Sequence, residues 1–250
     1  MRLHVIGDSH TGAFRTIGAV DISAPSQFTS PSPDEALILT SVESGIFIHY
    51  LGSMTAYRVG RDKLSAFNLN DYYVKPNDNV CYVFGEIDCR CNVHKHLDQT
   101  VSYQDNINYL IDEYVDTIKL NHEKFDLGKS IVYNVVPTAK YNSVSHWDHG
   151  NNPYLGSDEE RKYYTLYFNQ RLKSKCKQFG IHFFDVYDKF ISDDGFMKED
   201  ISHDGLHVDP QSNLVKDILS TYMEKLCLIY GMKILIGIIQ VVELVVQRKL

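Results

Sequence analysis

The chain has 250 residues, 44% hydrophobic and 23% charged, the balance of an ordinary globular protein with a core large enough to stand alone. Its net charge of −7 and the lack of a long basic run weigh against a duplex-wide nucleic-acid footprint. The five cysteines (Cys81, Cys89, Cys91, Cys176, Cys227) are sparse and odd in number, which favours reduced thiols over a disulfide framework. The opening MRLHVIGD has neither the apolar core nor the cleavage pattern of a secretory signal, so a cytoplasmic setting is expected.

In chain order, LHVIGD (3–8) is a short apolar run ending in turn residues, followed by a helix from Ala13 to Ile17. A Ser/Pro-rich piece from Ala24 to Pro33 reads as a surface excursion within one domain. GIFIHYLG (45–52) is a second strand, and NVCYVFG (79–85) a third, almost continuously apolar as a strand covered on both faces should be. Ile107, Leu110, Ile111, Tyr114 and Ile118 fall at helical spacing between Tyr103 and Lys119. SIVYNVVP (130–137) is a fourth strand. A helix from Asp158 to Phe179 is entered through a capping Ser157 and closed by Gly180. IHFFDVY (181–187) is the fifth strand, and Pro210 opens a last helix toward Cys227. Strands alternating with helices in this rhythm predict a parallel sheet with helices on both faces, and ligands bind such sheets beyond the carboxyl ends of their strands.

Two further segments stand apart. The connection from Thr138 to Gly156, TAKYNSVSHWDHGNNPYLG, is long for a compact domain and reads as a lid or binding loop. Its aromatic residues Trp147, Tyr141 and Tyr154 are placed either to stack on a substrate or simply to anchor the loop. From 228 to 246 the chain reads LIYGMKILIGIIQVVELVV, interrupted by Lys233 and Glu243. That is short of the ~18 to 20 uninterrupted apolar residues of a membrane span. A buried terminal element, a homo-oligomer surface or a membrane contact stays open for this tail, and the domain itself is drawn at 1–227 with the tail at 228–250.

The chemistry-bearing residues lie at opposite ends of the chain. Ser9 follows the first strand in HVIGDSHTG, where it suits either helix capping or nucleophilic attack. A serine nucleophile needs a base, and SHDGLHVDP (202–210) supplies His207 with Asp204 three residues upstream. A carboxylate there can take the imidazole Nδ1–H and leave the Nε2 lone pair to accept the serine proton. CRCNVHKH (89–96) collects Cys89, Cys91, His94 and His96, but without zinc-finger spacing. A polar segment after the third strand is the simpler reading, and no metal or cofactor is expected.

With Gly7-Asp8-Ser9 at one end, Asp204 and His207 at the other, and glycine-bearing blocks between, the chain resembles the SGNH (GDSL) hydrolases over Leu3 to Leu226. The resemblance implies a flavodoxin-like three-layer α/β/α sandwich on a mainly parallel five-stranded sheet. It also implies a catalytic triad of Ser9 as nucleophile, His207 as base and Asp204 as orienting carboxylate. The family's oxyanion donors are the backbone N–H of the nucleophile, that of a second-block glycine, and an asparagine in a Gly-x-Asn-Asp block. Ser9 and Gly52 match the first two, with Gly60 a competing glycine. The third block here is Gly85-Glu86-Ile87-Asp88, so Ile87 stands where the asparagine is expected. Arg90 and Arg61 are the nearest replacement donors, while an ion pair of Arg90 with Glu86 or Asp88 is the structural alternative. Glu86, Trp147 and Tyr141 are the candidate substrate-binding residues. The expected function is a serine esterase (hydrolase) removing a small acyl group, such as acetyl, from a carbohydrate ester, as an acetylesterase does. The alternatives are a glycan O-acyltransferase and a glycan-binding module of the same fold with weakened catalysis.

Overall fold

The computed structural model describes residues 2–22, 44–141, 153–202 and 204–230. The Ser/Pro-rich piece, Trp147 and the apolar tail from 231 onward lie outside these residues. All five expected strands are present: β1 (Leu3–Gly7), β3 (Ile46–Tyr50), β4 (Asn79–Val83), β5 (Lys129–Tyr133) and β6 (His182–Phe184). A sixth, β2 (Val20–Asp21), is too short to carry any periodicity and adds to the β3 edge. The sheet is wholly parallel in the order β2-β3-β1-β4-β5-β6. From β1 the chain goes to the edge strand β2, returns to β3 beside β1, and then crosses to β4 and winds outward to β6 on the other side. The reversal lies between β1 and β4, the place where open α/β sheets form clefts.

Although β1 is buried along its whole length, its side chains still alternate between faces. Ile6 joins a core with Val80, Tyr82 and Val132 under helices α1 (Ala56–Asp62), α2 (Tyr103–Phe125) and α3 (Asp158–Gln178). Leu3 and Val5 join the opposite core with Ile48, Val83 and Tyr133, covered by Phe14 and by Val215, Leu219 and Met223 of α4 (Asn213–Tyr230). These two cores on one sheet make the three-layer sandwich. No helix among the described residues is long and apolar enough to cross a membrane.

Several boundaries differ from expectation for local reasons. α2 runs six residues past Lys119, because the buried Asn121 is satisfied there: it accepts from the Leu69 N–H at 3.2 Å and donates to the Phe67 carbonyl at 3.4 Å. The last helix starts at Asn213 rather than Pro210. Asp209 folds the intervening residues into a turn by accepting from the Gln211 N–H, and Ser212 Oγ then accepts from the Val215 N–H. The segment after β1 is a 3-10 helix, Ser9–Ile17, closed by Gly18 at φ +81°.

The amino half of β1 holds a buried polar chain. Arg2 pairs with Asp78 at 2.6 Å, Asp78 Oδ2 faces His4 Nε2 at 3.3 Å, and His4 Nδ1 meets His49 Nε2 at 2.9 Å. An acceptor at Asp78 puts the His4 proton on Nε2, so His49 must donate from its own Nε2. Its Nδ1 is then a bare acceptor, and no partner reaches that atom among the described residues. Burial, reinforced by His4, holds the His49 imidazole well below its ordinary value, so it folds in the neutral form. The unfolded chain takes up a proton near pH ~6.5 that the folded chain refuses, so this contribution is present above that pH and is lost as pH falls below it. The urea midpoint is therefore expected to drop between pH 7.5 and 5.5, and to drop less in His49→Gln. An equal drop in both proteins would remove His49 as the cause.

Candidate active site

The carboxyl end of β1 is pressed against that of β4. A Cβ on Gly7 would collide with the Val83 carbonyl, and the Asp8 N–H donates to that same oxygen at 3.1 Å. Asp8 then caps the 3-10 helix, its Oδ1 accepting from the His10 N–H at 2.9 Å, while its carbonyl accepts from Thr11 Oγ1 at 2.8 Å. Ser9 is thereby fixed as the first residue of a helical turn, above the cleft between β1 and β4.

His207 arrives on a short hairpin closed by a bridge between Ser202 and Val208. Two side chains hold this loop. Ser202 Oγ donates to the His207 carbonyl at 2.7 Å, and Asp204 Oδ1 accepts from the N–H groups of Leu206 and His207 at 2.8 and 2.7 Å. The other carboxylate oxygen, Oδ2, meets His207 Nδ1 at 2.6 Å, and His207 Nε2 lies 2.7 Å from Ser9 Oγ. Burial pushes the Asp204 carboxyl up, but the bonds from the His207 ring and the two N–H groups outweigh it and hold it well below the usual range. An ionised Asp204 keeps the His207 proton on Nδ1 and the Nε2 lone pair toward serine.

Gly52 lies two residues past the end of β3. In the β1–β3 register Gly7 lies opposite Tyr50, and the Leu51 N–H donates to the Gly7 carbonyl. Ser9 and Gly52 are thus each two residues beyond a matched pair, and Gly52 adopts φ +62°, which favours glycine. Gly60 serves helix packing instead. It lies within α1, where a Cβ would meet Glu113 and the Tyr114 backbone of α2 at 2.9 Å. Arg61 is on the outer surface, paired with its neighbour Asp62 at 2.6 Å.

The third block opens at Gly85, whose φ of +120° and contact with Phe168 and Val135 leave no room for a side chain. Ile87 is buried and apolar. Asp88, completely buried, accepts from the N–H groups of Ala56 and Tyr57 at 2.7 and 3.4 Å and from Asn92 Nδ2 at 3.3 Å. Burial raises its carboxyl to about 6 despite these donors. Asp88 thus ties the start of α1, and with it the segment carrying Gly52, to the third block. Arg90 is buried on the wide turn Asp88–Asn92. Its Nε donates to Glu86 Oε1 at 2.7 Å, the ion-pair alternative, and its guanidinium lies over the Tyr154 ring.

Tyr154 is the part of the long connection that reaches this region. It packs on Ala139 and Leu206, next to His207, and its ring lies against the guanidinium groups of Arg90 and Arg161 at 5.1 and 5.0 Å. The half-exposed Tyr141 meets it edge-on at 5.8 Å. Arg161 is almost wholly buried and donates to the Gly156 carbonyl at 2.6 Å and to Asp158. Nothing in the sequence marks it, since an arginine on a charged helix face normally reads as solvated. Cys89 and Cys91 are buried, His94 Nδ1 meets Tyr164 Oη at 3.1 Å, and no metal-holding cluster of His, Cys, Asp or Glu occurs among the described residues.

Asp88→Ala leaves two N–H groups of α1 without their carboxylate. A loss of about 1–3 kcal/mol in urea denaturation is expected, and an unchanged midpoint would show that α1 is held by other contacts.

No protein-family model matches the sequence, and no curated protein matches it. Solved structures do match. A protein assigned as an acylhydrolase from Bacteroides fragilis aligns with TM-score 0.54 and 16% identity over 90% of this chain and 86% of its own. A GDSL-like lipase from Bacteroides thetaiotaomicron aligns at 0.52 and 14% over the same shares. The C-terminal domain of the Drosophila Oskar protein aligns at 0.50 and 13% over 88% and 87%. Identities this low speak for architecture alone. With a parallel three-layer sandwich and Ser9, Asp204 and His207 gathered at its carboxyl edge, the chain has the fold of the GDSL-like hydrolases.

Proposed function

We infer that the chain is a serine esterase in which Ser9 is the nucleophile, His207 the general base and Asp204 its orienting carboxylate. The observation that carries this reading is the unbroken line Asp204–His207–Ser9, with contacts of 2.6 and 2.7 Å between residues from opposite ends of the sequence. His207 Nε2 takes the Ser9 proton as Oγ attacks the ester carbonyl. The resulting oxyanion is met by the backbone N–H groups of Ser9 and Gly52, and each such donor is worth about 3–4 kcal/mol of barrier. Collapse expels the alcohol, which receives the proton from His207 and leaves an acyl-Ser9. Water, deprotonated by the same imidazole, then releases the acid.

Ile87 supplies no third donor from its own position. Arg90 can fill that role only through an N–H other than the Nε engaged by Glu86, and a guanidinium has five. The substrate we assign is a small acyl ester, an O-acetyl group on a carbohydrate, with Tyr141 and Glu86 as its contacts among the described residues. The exposed ring of Tyr141 beside Tyr154 supports an aromatic platform for a sugar. A sugar hydroxyl replacing water in the second step would turn the same acyl-enzyme into an O-acyltransferase. The apolar Ile87 favours one other reading, a glycan-binding module with weak catalysis.

Incubation with a fluorophosphonate probe and with p-nitrophenyl acetate tests the assignment. Labelling and turnover are expected in the natural chain, and Ser9→Ala should lose both, with turnover down on the order of 10⁴-fold. Acylated sugar formed when free sugar is added would identify transfer. No labelling and no Ser9-dependent turnover would overturn the esterase in favour of the binding module.

A further inference from the structure

His10, the residue after Ser9, is 5% exposed and touches both halves of the site. Its Nδ1 faces Asp8 Oδ1 at 3.1 Å, on its own turn. Its Nε2 faces the Leu206 carbonyl at 3.3 Å, on the loop that carries Asp204 and His207. Its ring lies 5.0 Å from that of His207. A carbonyl oxygen accepts only, and so does an ionised carboxylate. A neutral imidazole has one N–H, which would leave a lone pair aimed at one of these oxygens; only the imidazolium donates to both. The alternative, a proton on Asp8 Oδ1 shared with a neutral ring, would compete with the bond that the same oxygen accepts from the His10 backbone N–H at 2.9 Å.

We propose that His10 is held as an imidazolium and serves as a charged strut, a positioning residue that locks the Ser9 turn to the His207 loop. It rests on the esterase reading for its kinetic consequence but not for its charge. Neither half of the site is covalently near the other, and Ser9 Oγ to His207 Nε2 is a single contact between them. The strut adds a second contact, donated by a charge to the carbonyl next to His207, and so resists sliding of the loop across the cleft.

The groups facing His10 come from three elements. Asp8 lies on its own turn, Glu86 and Arg90 follow β4, and Asp204 and His207 lie on the hairpin. Burial lowers the His10 pKa, but Asp8, aided by Glu86 and opposed by Arg90, outweighs it and leaves the ring more basic than usual. A base at His207 must be neutral to work, whereas the strut must be charged. The two neighbouring histidines therefore demand opposite protonation states, and on the alkaline side His10 loses its proton and the lock opens.

Imidazole ¹⁵N NMR of the Ser9→Ala chain tests the charge without any need for turnover. At pH 7 both His10 nitrogens are expected at imidazolium shifts, and Asp8→Asn should bring deprotonation to lower pH. One His10 nitrogen at the shift of a bare lone pair at pH 7 would overturn the proposal, whether or not His10 variants fold. In kinetics, His10→Gln is expected to lower kcat/KM roughly tenfold to a hundredfold, as for loss of a charge-assisted hydrogen bond, and to remove the alkaline limb of the pH profile. An alkaline limb unchanged in a folded His10→Gln protein would also overturn it. A doubly protonated His10 in a chain that hydrolyses no ester would support the charged strut and overturn the esterase instead.

Discussion

The site depends on β1 being paired on both sides. Ser9 and His207 are 198 residues apart, and no local turn could bring them together. What does so is a central strand whose carboxyl end is fixed by β3 and β4 at once, so the turn after Gly7 has one place to go. Having no side chain at Gly7 lets β1 and β4 close to the distance at which Asp8 bonds the Val83 carbonyl. The final helix then packs Val215, Leu219 and Met223 on the same face as Phe14, which brings the preceding His207 hairpin over the nucleophile turn. The chemistry is assembled by the order of strands in the sheet rather than by any segment alone.

The third block shows how a site can keep its framework while changing its polar lining. Gly85 and Asp88 retain roles that the backbone imposes: Gly85 passes under Phe168 where no side chain fits, and Asp88 caps α1. Ile87, which stands between them, is buried and apolar. Near it lie two buried guanidinium groups, Arg90 paired with Glu86 and Arg161 paired with Asp158, each against the Tyr154 ring. Such groups are stable only because each meets a partner.

The strand–helix rhythm and the pairing of Asp204 with His207 are legible in the sequence because both rest on local chemistry: apolar runs ended by turn residues, and a carboxylate three residues before a histidine. What escapes is set by distant partners. α1 is invisible there, since MTAYRVGRD carries a glycine within its short helical stretch and forms a helix because α2 packs on Gly60 and Asp88 caps it. Gly52 and Gly60 cannot be told apart until the register puts one beyond β3 and the other within a helix. Arg161 and His10 look ordinary for the same reason, because their surroundings come from other parts of the chain.

The sheet's edges carry a consequence for how copies of this molecule meet. On one side the outermost strand is the two-residue β2, with Asp21 exposed, and on the other it is the three-residue β6. A neighbouring chain adding by strand pairing needs a row of free peptide groups, and neither edge offers one of useful length among the described residues. What the described surface presents outward is side chains on helices, such as the exposed Tyr109 and Tyr163 of α2 and α3.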